Sequence, residues 1–353
     1  MKFIKKFFVQ LFMGANVATI LLMWAACGVT YLSPESFPRL GLLSLAFPAF
    51  LLVNVLFVVF WLIFKIKRVW VPVVGLLCCG SFVRDYFPVN IPCATPDSTL
   101  TVLSYNTHSF GGGSDADAPD GSNPIMTYLL STDADILCLV ESTNRRDFIE
   151  RFVAAGYECM NIKEFMLCSR LPIVEADTMS LGTQRAHCLR AYLLDGSDTI
   201  MVLAPHLESN HLSPEVKSAY VEAIKAHERD SVRKGVEPVV ELLSEASPTR
   251  ARQVQDIQAA IDAWLPRPII LGGDFNDTPI SYTHRVLTSH LTSAWRQSGN
   301  GLGFTFHDKG FPVRIDHILF SGDRWKSYET TICDTIKHSD HFPICTKLAK
   351  IGP

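Results

Sequence analysis

Residues 271–279, LGGDFNDTP, carry one carboxylate and one carboxamide two positions apart, Asp274 and Asn276. They follow the apolar run at residues 268–270, which predicts a strand that ends in a turn. Side chains at positions i and i+2 of an extended segment point the same way, so both groups face one small space. A carboxylate can deprotonate a water while an amide donates to a phosphoryl oxygen, which suits phosphoester chemistry. For this segment alone, a turn whose Asp and Asn satisfy the backbone is the alternative.

Five further polar motifs stand at the ends of apolar runs, where loops with catalytic residues usually leave a rigid scaffold. They are SYNTH, VES, PHLE, RIDH and SDHFP, at residues 104–108, 140–142, 205–208, 314–317 and 339–343. In this order, with GGDFNDTP between the third and fourth, they resemble the endonuclease/exonuclease/phosphatase superfamily of metal-dependent phosphohydrolases. That superfamily includes pancreatic-type deoxyribonucleases, apurinic endonucleases, bacterial sphingomyelinases and inositol polyphosphate 5-phosphatases. The resemblance covers about residues 99–349.

The resemblance implies a metal site built from oxygen ligands. Glu141 matches the principal magnesium ligand, Asn106 matches the amide beside it, and Asp340 would complete the site directly or through water. Hard oxygen ligands of this kind suit Mg²⁺ or Mn²⁺, which keep waters and bind substrate phosphate. His108 stands where some nucleases carry a second acidic ligand, and its neutral imidazole disfavours a second hard metal. A substrate-binding role for His108 stays open.

The resemblance also implies the catalytic roles. Asp274 would orient or deprotonate the attacking water, and Asn276 would stabilise the pentacoordinate phosphorus. His341 matches the histidine that contacts the scissile phosphate, and Asp316 the carboxylate that fixes its tautomer and raises its basicity. His206 matches a second histidine that donates to the phosphate or to the leaving oxygen.

Two serine–proline pairs, at residues 213–214 and 247–248, have the pattern of a helix N-cap followed by proline at the first helical position. Arg250 and Arg252 open the second of these predicted helices, where related proteins often carry an arginine near the phosphate. Exposed arginines on a helix surface are the alternative. His317, in the RIDH motif, is expected to be structural.

Seven short apolar runs predict strands, at residues 100–105, 136–140, 165–168, 189–194, 199–204, 269–271 and 314–320. With few helices between them, they predict an α/β fold, a four-layer sandwich of two packed mixed sheets flanked by helices. Residues 208–247 form a charged, mostly helical excursion that is either a lid or a solvated insertion. The Gly- and Asp-rich residues 111–123 predict a mobile loop.

Residues 1–85 have the composition of a transmembrane region. Predicted helices at about 7–31 and 40–64 are uncharged or nearly so and long enough to cross a bilayer. A third run at 69–83 falls short of the ~30 Å hydrocarbon core unless its flanking basic side chains snorkel. A cleaved signal sequence fits less well because the first run is too long, and a buried soluble hairpin fits less well because both runs lack charge.

Basic clusters at residues 2–6 and 65–68 predict that both of these ends stay in the cytoplasm. Three spans would then place the catalytic domain on the extracytoplasmic side of an inner (cytoplasmic) membrane, whereas two would leave it inside. We favour three, because an apolar run directly after a basic cluster is otherwise hard to explain. Residues 86–98, which contain three prolines, predict a linker to the domain at 99–349.

Charge restricts the choice of substrate. The chain carries −3 overall, and residues 1–90 hold eight basic and two acidic residues, so residues 91–353 are acidic at −9. Duplex binding normally relies on Lys and Arg, which opposes the nuclease reading that the superfamily supports. A lipid headgroup, a small phosphodiester and nucleic acid therefore stay open as substrates, and no protein partner is indicated. A catalytically silent, membrane-tethered binding domain is the remaining alternative, opposed by the complete set of site residues.

The ten cysteines show no CxxC motif and no cluster spaced with histidines. Neither a structural zinc site nor a disulfide framework is expected, and the cysteines are interpreted as scattered core residues.

Overall fold

The computed structural model describes residues 2–112, 122–182, 187–226, 229–308 and 311–351. Of the loop predicted at 111–123, residues 113–121 lie outside this described part. The predicted four-layer α/β sandwich is confirmed, since two six-stranded mixed sheets pack face to face with helices on both outer sides.

The first sheet has the strand order β11-β12-β1-β2-β4-β3. Its central pair, β1 and β2, is parallel, and the other neighbours are antiparallel. The strands are β1 (Leu100–Asn106), β2 (Ile136–Val140), β3 (Glu158–Ile162), β4 (Phe165–Ser169), β11 (Trp325–Ile332) and β12 (Ile344–Lys350).

The second sheet repeats this arrangement in the order β5-β6-β7-β8-β10-β9, with β7 and β8 as its parallel pair. Its strands are β5 (Ile173–Ser180), β6 (His187–Asp195), β7 (Asp198–His206), β8 (Ile269–Asp274), β9 (Thr292–Ser293) and β10 (Asp316–Phe320). All seven predicted strands are present, and β3, β5, β9, β11 and β12 are additional.

Alternating side chains divide the core into layers. Val102 of β1 and Val202 of β7 are wholly buried between the two sheets. Leu103 faces the opposite way, toward the helices at Pro124–Ser131 and Arg146–Ala154, and Leu203 faces those at Arg229–Trp264 and Tyr282–Leu287.

Seven helices follow the N-terminal helical region in the described part of the chain. They are α6 (His108–Gly112, a single left-handed turn), α7 (Pro124–Ser131), α8 (Arg146–Ala154), α9 (Pro214–Ala226), α10 (Arg229–Trp264), α11 (Tyr282–Leu287) and α12 (Ala294–Ser298).

Helix α9 begins at Pro214, as predicted, but the helix start predicted at residues 247–248 is wrong. Those residues lie inside the 36-residue helix α10. A proline within a helix cannot donate to the carbonyl four residues earlier, here that of Ser244. The Ser247 hydroxyl donates to that same carbonyl at 3.5 Å, which offers the freed acceptor a partner and lets the helix continue.

Cys159 and Cys168 form a disulfide, contrary to the expectation from the cysteine spacing. The two residues lie directly opposite each other on the antiparallel strands β3 and β4, with their Cα atoms 4.2 Å apart. This proximity comes from the register of the hairpin, which a search for cysteine motifs does not reveal.

The N-terminal region forms an antiparallel helical bundle. Its helices are α1 (Lys2–Gly28), α2 (Pro38–Gly41), α3 (Phe47–Phe64), α4 (Trp70–Cys78) and α5 (Gly80–Tyr86). Two helical stretches, Lys6–Tyr31 and Pro38–Phe64, are long and apolar enough to cross a membrane. Helices α4 and α5 meet at a 68° bend and count as a third span only if the bent pair is taken as one. Asn16 holds α1 to α3, because it donates to Asn54 and accepts from the Trp61 indole.

The bundle packs directly on the sandwich. Ile280, in the loop after β8, is buried in an apolar cluster with Met23, Ala26 and Phe47 of the bundle. Three arginines of the sandwich add polar contacts: Arg285 Nε donates to Thr30 O at 2.8 Å, Arg252 Nε to Glu35 Oε1 at 2.6 Å, and Arg314 Nη2 to Asp85 O at 2.6 Å. The loop that carries Asp274 and Asn276 is therefore anchored in the N-terminal helical bundle.

Candidate active site

The predicted site residues come together at one edge of the sandwich. Strands β1, β7 and β8 end at Asn106, His206 and Asp274, and Glu141 directly follows β2. Each sheet has its parallel pair at the centre, and parallel strands share their C-terminal edge, where ligand sites of open sheets usually form. The antiparallel strand β10 begins at this same edge with Asp316.

The side chains of Asn106 and Asp274 point into the space between the sheets. Asn106 is four residues after the inward-facing Val102 on β1, and Asp274 is four residues after the inward-facing Ile270 on β8. Because side chains alternate along a strand, each pair points to the same face. The apolar layer between the sheets therefore ends in a polar layer at this edge.

Asn106 connects two of the predicted acids. Its Nδ2 donates to Glu141 Oε1 at 2.9 Å and to Asp274 Oδ2 at 3.2 Å. Burial and the nearby Asp316 carboxylate raise the pKa of Asp274 to about 6, although His341 and His206 act in the opposite direction. A carboxylate with a pKa close to neutrality is suited to accept a proton from water.

His341 and Asp316 form a buried pair. The Nδ1 atom of His341 lies 2.7 Å from Asp316 Oδ2, and its Nε2 lies 3.7 Å from Asp274 Oδ2. Burial lowers the pKa of His341, but the Asp316 and Asp274 carboxylates outweigh burial and raise it to about 10. The imidazole is therefore held as a cation with Nε2 directed toward Asp274.

His206 lies between two glutamates. Its Nε2 is 3.5 Å from Glu141 Oε1, and its Nδ1 is 3.3 Å from Glu164 Oε1. Burial lowers the pKa of His206, yet Glu164, Asp274 and Glu141 together raise it above its usual value. Glu164, in the turn between β3 and β4, was not among the predicted residues, because no motif marks it in the sequence.

Asn276 adopts a left-handed backbone conformation, with φ of 49°, which asparagine tolerates better than most residues. Its backbone N–H donates to Asp274 Oδ1 at 2.8 Å, and its Nδ2 donates to Leu207 O at 2.9 Å. An amide nitrogen carries two hydrogens, so Nδ2 retains a second donor for a ligand. The turn thus fixes the carboxylate and the carboxamide relative to each other.

Two groups of residues have the donor atoms for a metal ion. Glu141, Asn106 and Asp340 offer oxygen ligands, and Glu141 Oε2 and Asp340 Oδ1 lie 3.6 and 3.7 Å from the same His108 nitrogen. The ligand atoms of Asp274, Asp316 and His341 all lie within 4.8 Å of one another. In the second group a hydrogen bond already joins His341 to Asp316. The first group consists of oxygen donors alone, which is the ligand type that a hard cation prefers, and the Oδ1 of Asn106 also accepts from the His108 backbone N–H at 3.1 Å.

Arg250 is brought to the site, whereas Arg252 is not. Arg250 is 3% exposed, its Nη1 donates to Glu208 O and Asn210 Oδ1, and its Nε has no hydrogen-bond partner among the described residues. Arg252 instead pairs with Glu35, in the segment between the two candidate spans. Positions i and i+2 of a helix do not share a face, so one arginine at the site excludes the other.

His317 points away from this edge. Its Nε2 lies 3.1 Å from Asp277 O, and its ring packs against Phe275 and His284. Burial keeps the pKa of His317 well below its usual value, so the ring is a neutral packing group.

This geometry agrees with comparisons to known proteins. The profile of the Endonuclease/Exonuclease/phosphatase family matches residues 103–341, which is more than half of the chain. The chain belongs to this family. This match confirms the resemblance to the superfamily that the six motifs indicated in the sequence. Residues 6–86 match a domain of unknown function, DUF8431. A comparison with curated proteins found no match.

Solved structures of the endonuclease/exonuclease/phosphatase fold align over most of their own length. The protein of this family from Bacteroides vulgatus is 16% identical, with 72% of this chain and 100% of that chain covered and a TM-score of 0.51. The human Nocturnin catalytic domain with bound sulfate is 15% identical, with coverages of 72% and 95% and a TM-score of 0.51. Humanized D. rerio TDP2 is 14% identical, with coverages of 71% and 99% and a TM-score of 0.50. At these identities the similarity shows the fold alone.

Proposed function

We propose that this family member is a membrane-anchored, divalent-metal-dependent hydrolase of phosphoesters, acting as a phosphodiesterase or phosphatase. One observation carries the proposal. The buried Asp274 is held by Asn106, which also holds Glu141, and it lies beside the Nε2 atom of His341. A water-activating carboxylate, an oxygen-rich cation site and a protonated imidazole thus converge on one space.

In the proposed reaction a water attacks phosphorus in line with the leaving oxygen. Asp274 accepts the proton of the water as the new O–P bond forms. The ester P–O bond breaks, and the leaving oxygen takes a proton from His206. Asn276 and His341 donate to the phosphoryl oxygens, whose negative charge grows in the transition state.

Arg250 supplies a further contact to the phosphate. Its Nε–H makes no hydrogen bond and faces the Asp277 carboxylate at 3.8 Å, and a buried donor without a hydrogen bond costs free energy unless a ligand satisfies it. Burial lowers the pKa of Arg250, and Asp277 and Asp274 counteract that change. An arginine of this kind prefers an anionic ligand.

Glu141, Asn106 and Asp340 are the residues that would hold the metal, for which Mg²⁺ or Mn²⁺ is the matching ion. When bound, the ion supplies a positive charge that polarises the phosphoryl group and neutralises charge in the transition state. The same residues also position Asp274, through the Asn106 amide.

Purified full-length protein in detergent should hydrolyse bis(p-nitrophenyl) phosphate or p-nitrophenyl phosphate in the presence of Mg²⁺. Removal of the metal with EDTA should lower the rate at least about 100-fold, because charge neutralisation contributes several kcal/mol to the transition state. Adding Mg²⁺ or Mn²⁺ back should restore it. Folded protein that hydrolyses neither ester, nor phospholipid, inositol phosphate or DNA, would contradict the enzymatic proposal.

We further propose that the catalytic domain lies on the extracytoplasmic side of the membrane. Arg68 donates to Val9 O, so the basic segment at residues 65–68 lies at the same end of the bundle as the start of α1. The sandwich contacts Thr30 and Asp85, at the other end. If the basic end stays in the cytoplasm, the bent pair of α4 and α5 completes a third crossing.

Reporter fusions test this orientation. Alkaline phosphatase, which is active only outside the cytoplasm, should be active when fused after residue 94, whereas green fluorescent protein at the same position should be dark after Sec-dependent export. Fusions after residue 66 should show the reverse pattern. A fluorescent fusion after residue 94 combined with inactive alkaline phosphatase would exclude three spans.

A further inference from the structure

A cavity of about 660 Å³ extends from the candidate active site to the membrane bundle. At one end it is lined by catalytic groups, among them His206, Asp274 and His341. At the other end it is lined by Leu42 and Leu45, in the segment that joins α1 to α3. The site therefore opens toward the residues that connect the two candidate membrane spans.

The middle of this cavity is apolar. Helix α10 contributes Val236, Val239 and Leu243 to the lining, and the start of the second candidate span contributes Leu42 and Leu45. Helix α10 also packs directly on α2, so the excursion after His206 covers this space. Hydrocarbon, rather than a charged polymer, matches such walls.

The mouth of the cavity exposes apolar side chains. Leu45 and Val240 both line the cavity, yet they remain 40% and 36% exposed. Leu45 lies near the start of the second candidate span, Pro38–Phe64, and therefore near the surface of a bilayer that this span would cross. Exposed apolar side chains that continue into a cavity are typical of a ligand or membrane contact.

The charged side chains that line the cavity do not favour the binding of a polynucleotide. Lys217, at the catalytic end, already pairs with Asp308 at 2.7 Å. Arg314 donates to backbone carbonyl groups. Among the basic lining residues in the described part of the chain, Arg250 and Arg314 each have an Nε without a hydrogen-bond partner. The Arg314 guanidinium is held by the carbonyl groups of Leu302, Asp85 and Tyr86, whereas the Nε of Arg250 lies 3.8 Å from Asp277 Oδ2, in the loop of Asp274 and Asn276. The cavity thus combines buried cationic groups near the catalytic residues with an apolar passage.

We propose that the substrate is a phosphoester lipid of the bilayer in which the protein is anchored. Its phosphate would lie against Arg250 and His341, and its hydrocarbon chain would leave between α10 and the segment containing Leu45. This inference rests on the proposed phosphohydrolase function and names its substrate class. The reaction is the same attack of water on phosphorus, with the lipid-bound or headgroup oxygen as leaving group.

Alkyl p-nitrophenyl phosphates test the chain preference without assuming a headgroup, because the scissile bond is the same in each. Nanodisc-reconstituted full-length protein should hydrolyse the hexyl ester with a kcat/KM about 1,000-fold above that of the methyl ester, since each of the additional buried methylenes contributes a factor of about four. Val240→Trp and Leu45→Trp narrow the passage and should lower this hexyl-to-methyl ratio about tenfold. Val153→Trp, a matched change of an exposed helical valine on α8, should leave the ratio unchanged.

A second experiment compares an ester in the bilayer of the protein with the same ester in separate vesicles. Hexadecyl p-nitrophenyl phosphate should be hydrolysed at least about tenfold faster when it shares the bilayer of the protein than when it is supplied in separate vesicles. A hexyl-to-methyl ratio near one, an equal fall in the ratio for Val153→Trp, or equal rates from both bilayers would overturn the lipid assignment while leaving phosphoester hydrolysis intact. Failure to hydrolyse any ester would instead count against the proposed function.

Discussion

Asp274→Asn is expected to lower kcat about 1,000-fold for any phosphoester that the protein hydrolyses, because an amide cannot accept a proton from the attacking water. The substitution keeps the size of the side chain. One oxygen remains to accept from either the Asn276 N–H or the Asn106 amide, but not from both. Stopped or steady-state assays with a chromogenic diester would measure the loss.

Asp135→Asn is the matched control for this substitution. Asp135 also accepts from a backbone N–H, that of Thr101 at 2.7 Å, but at the opposite end of β1. Its variant should retain activity within about twofold. Thermal unfolding with and without Mg²⁺ distinguishes a role of Asp274 in accepting a proton from water from a role as a metal ligand. Asp274→Asn should keep its stabilisation by Mg²⁺, and loss of that stabilisation would move the metal to the group formed with Asp316 and His341.

Glu141→Gln should abolish metal-dependent turnover and raise the Mg²⁺ concentration needed for half-maximal stabilisation at least about 100-fold. The glutamine keeps an acceptor for the Asn106 amide, so the change removes charge while preserving the local packing. A neutral amide is a much poorer ligand for a hard cation than a carboxylate. At a metal concentration 100 times the wild-type Kd, the wild-type protein gains about 2.7 kcal/mol of stability, whereas a variant whose Kd is 100-fold higher gains only about 0.4 kcal/mol at the same concentration.

Glu158→Gln is the corresponding control. Glu158 begins β3, its carboxylate accepts from the backbone N–H of Ile173 at 2.8 Å, and it lies far from the site edge. Its activity and its metal response should match those of the wild type. An unchanged rate for Glu141→Gln would refute the assignment of Glu141 as a metal ligand.

The fold could be predicted from the sequence to the extent that strands are buried on both faces. The seven predicted strands are rich in apolar residues, and β2 and β8 are buried at every position. The strands that were missed include all four sheet edges, β3, β5, β9 and β11. An edge strand such as β5 leaves several side chains in solvent, so its sequence, IVEADTMS, lacks the apolar signal.

The two candidate membrane spans correspond to the runs predicted from composition, since uncharged runs of this length are long enough to cross a bilayer. The third run differs, because α4 and α5 break at Cys79 with a bend of 68°. Its contacts with the sandwich, rather than its length, give the bent pair its orientation. The Asp85 carbonyl that receives Arg314 is one such contact, and it joins residues 229 positions apart.

The sequence by itself determined the family, through the order of six motifs, and the acids and imidazoles that these motifs bring to the candidate site. Only the tertiary structure decided which groups share that site. It placed Glu164 beside His206, Arg250 at the site and Arg252 beside Glu35, and it lined part of the cavity with the N-terminal helical bundle. The reason is physical. Residue type and periodicity are local properties, whereas these contacts depend on how the sheets, α10 and the N-terminal bundle pack, which no short stretch of sequence encodes.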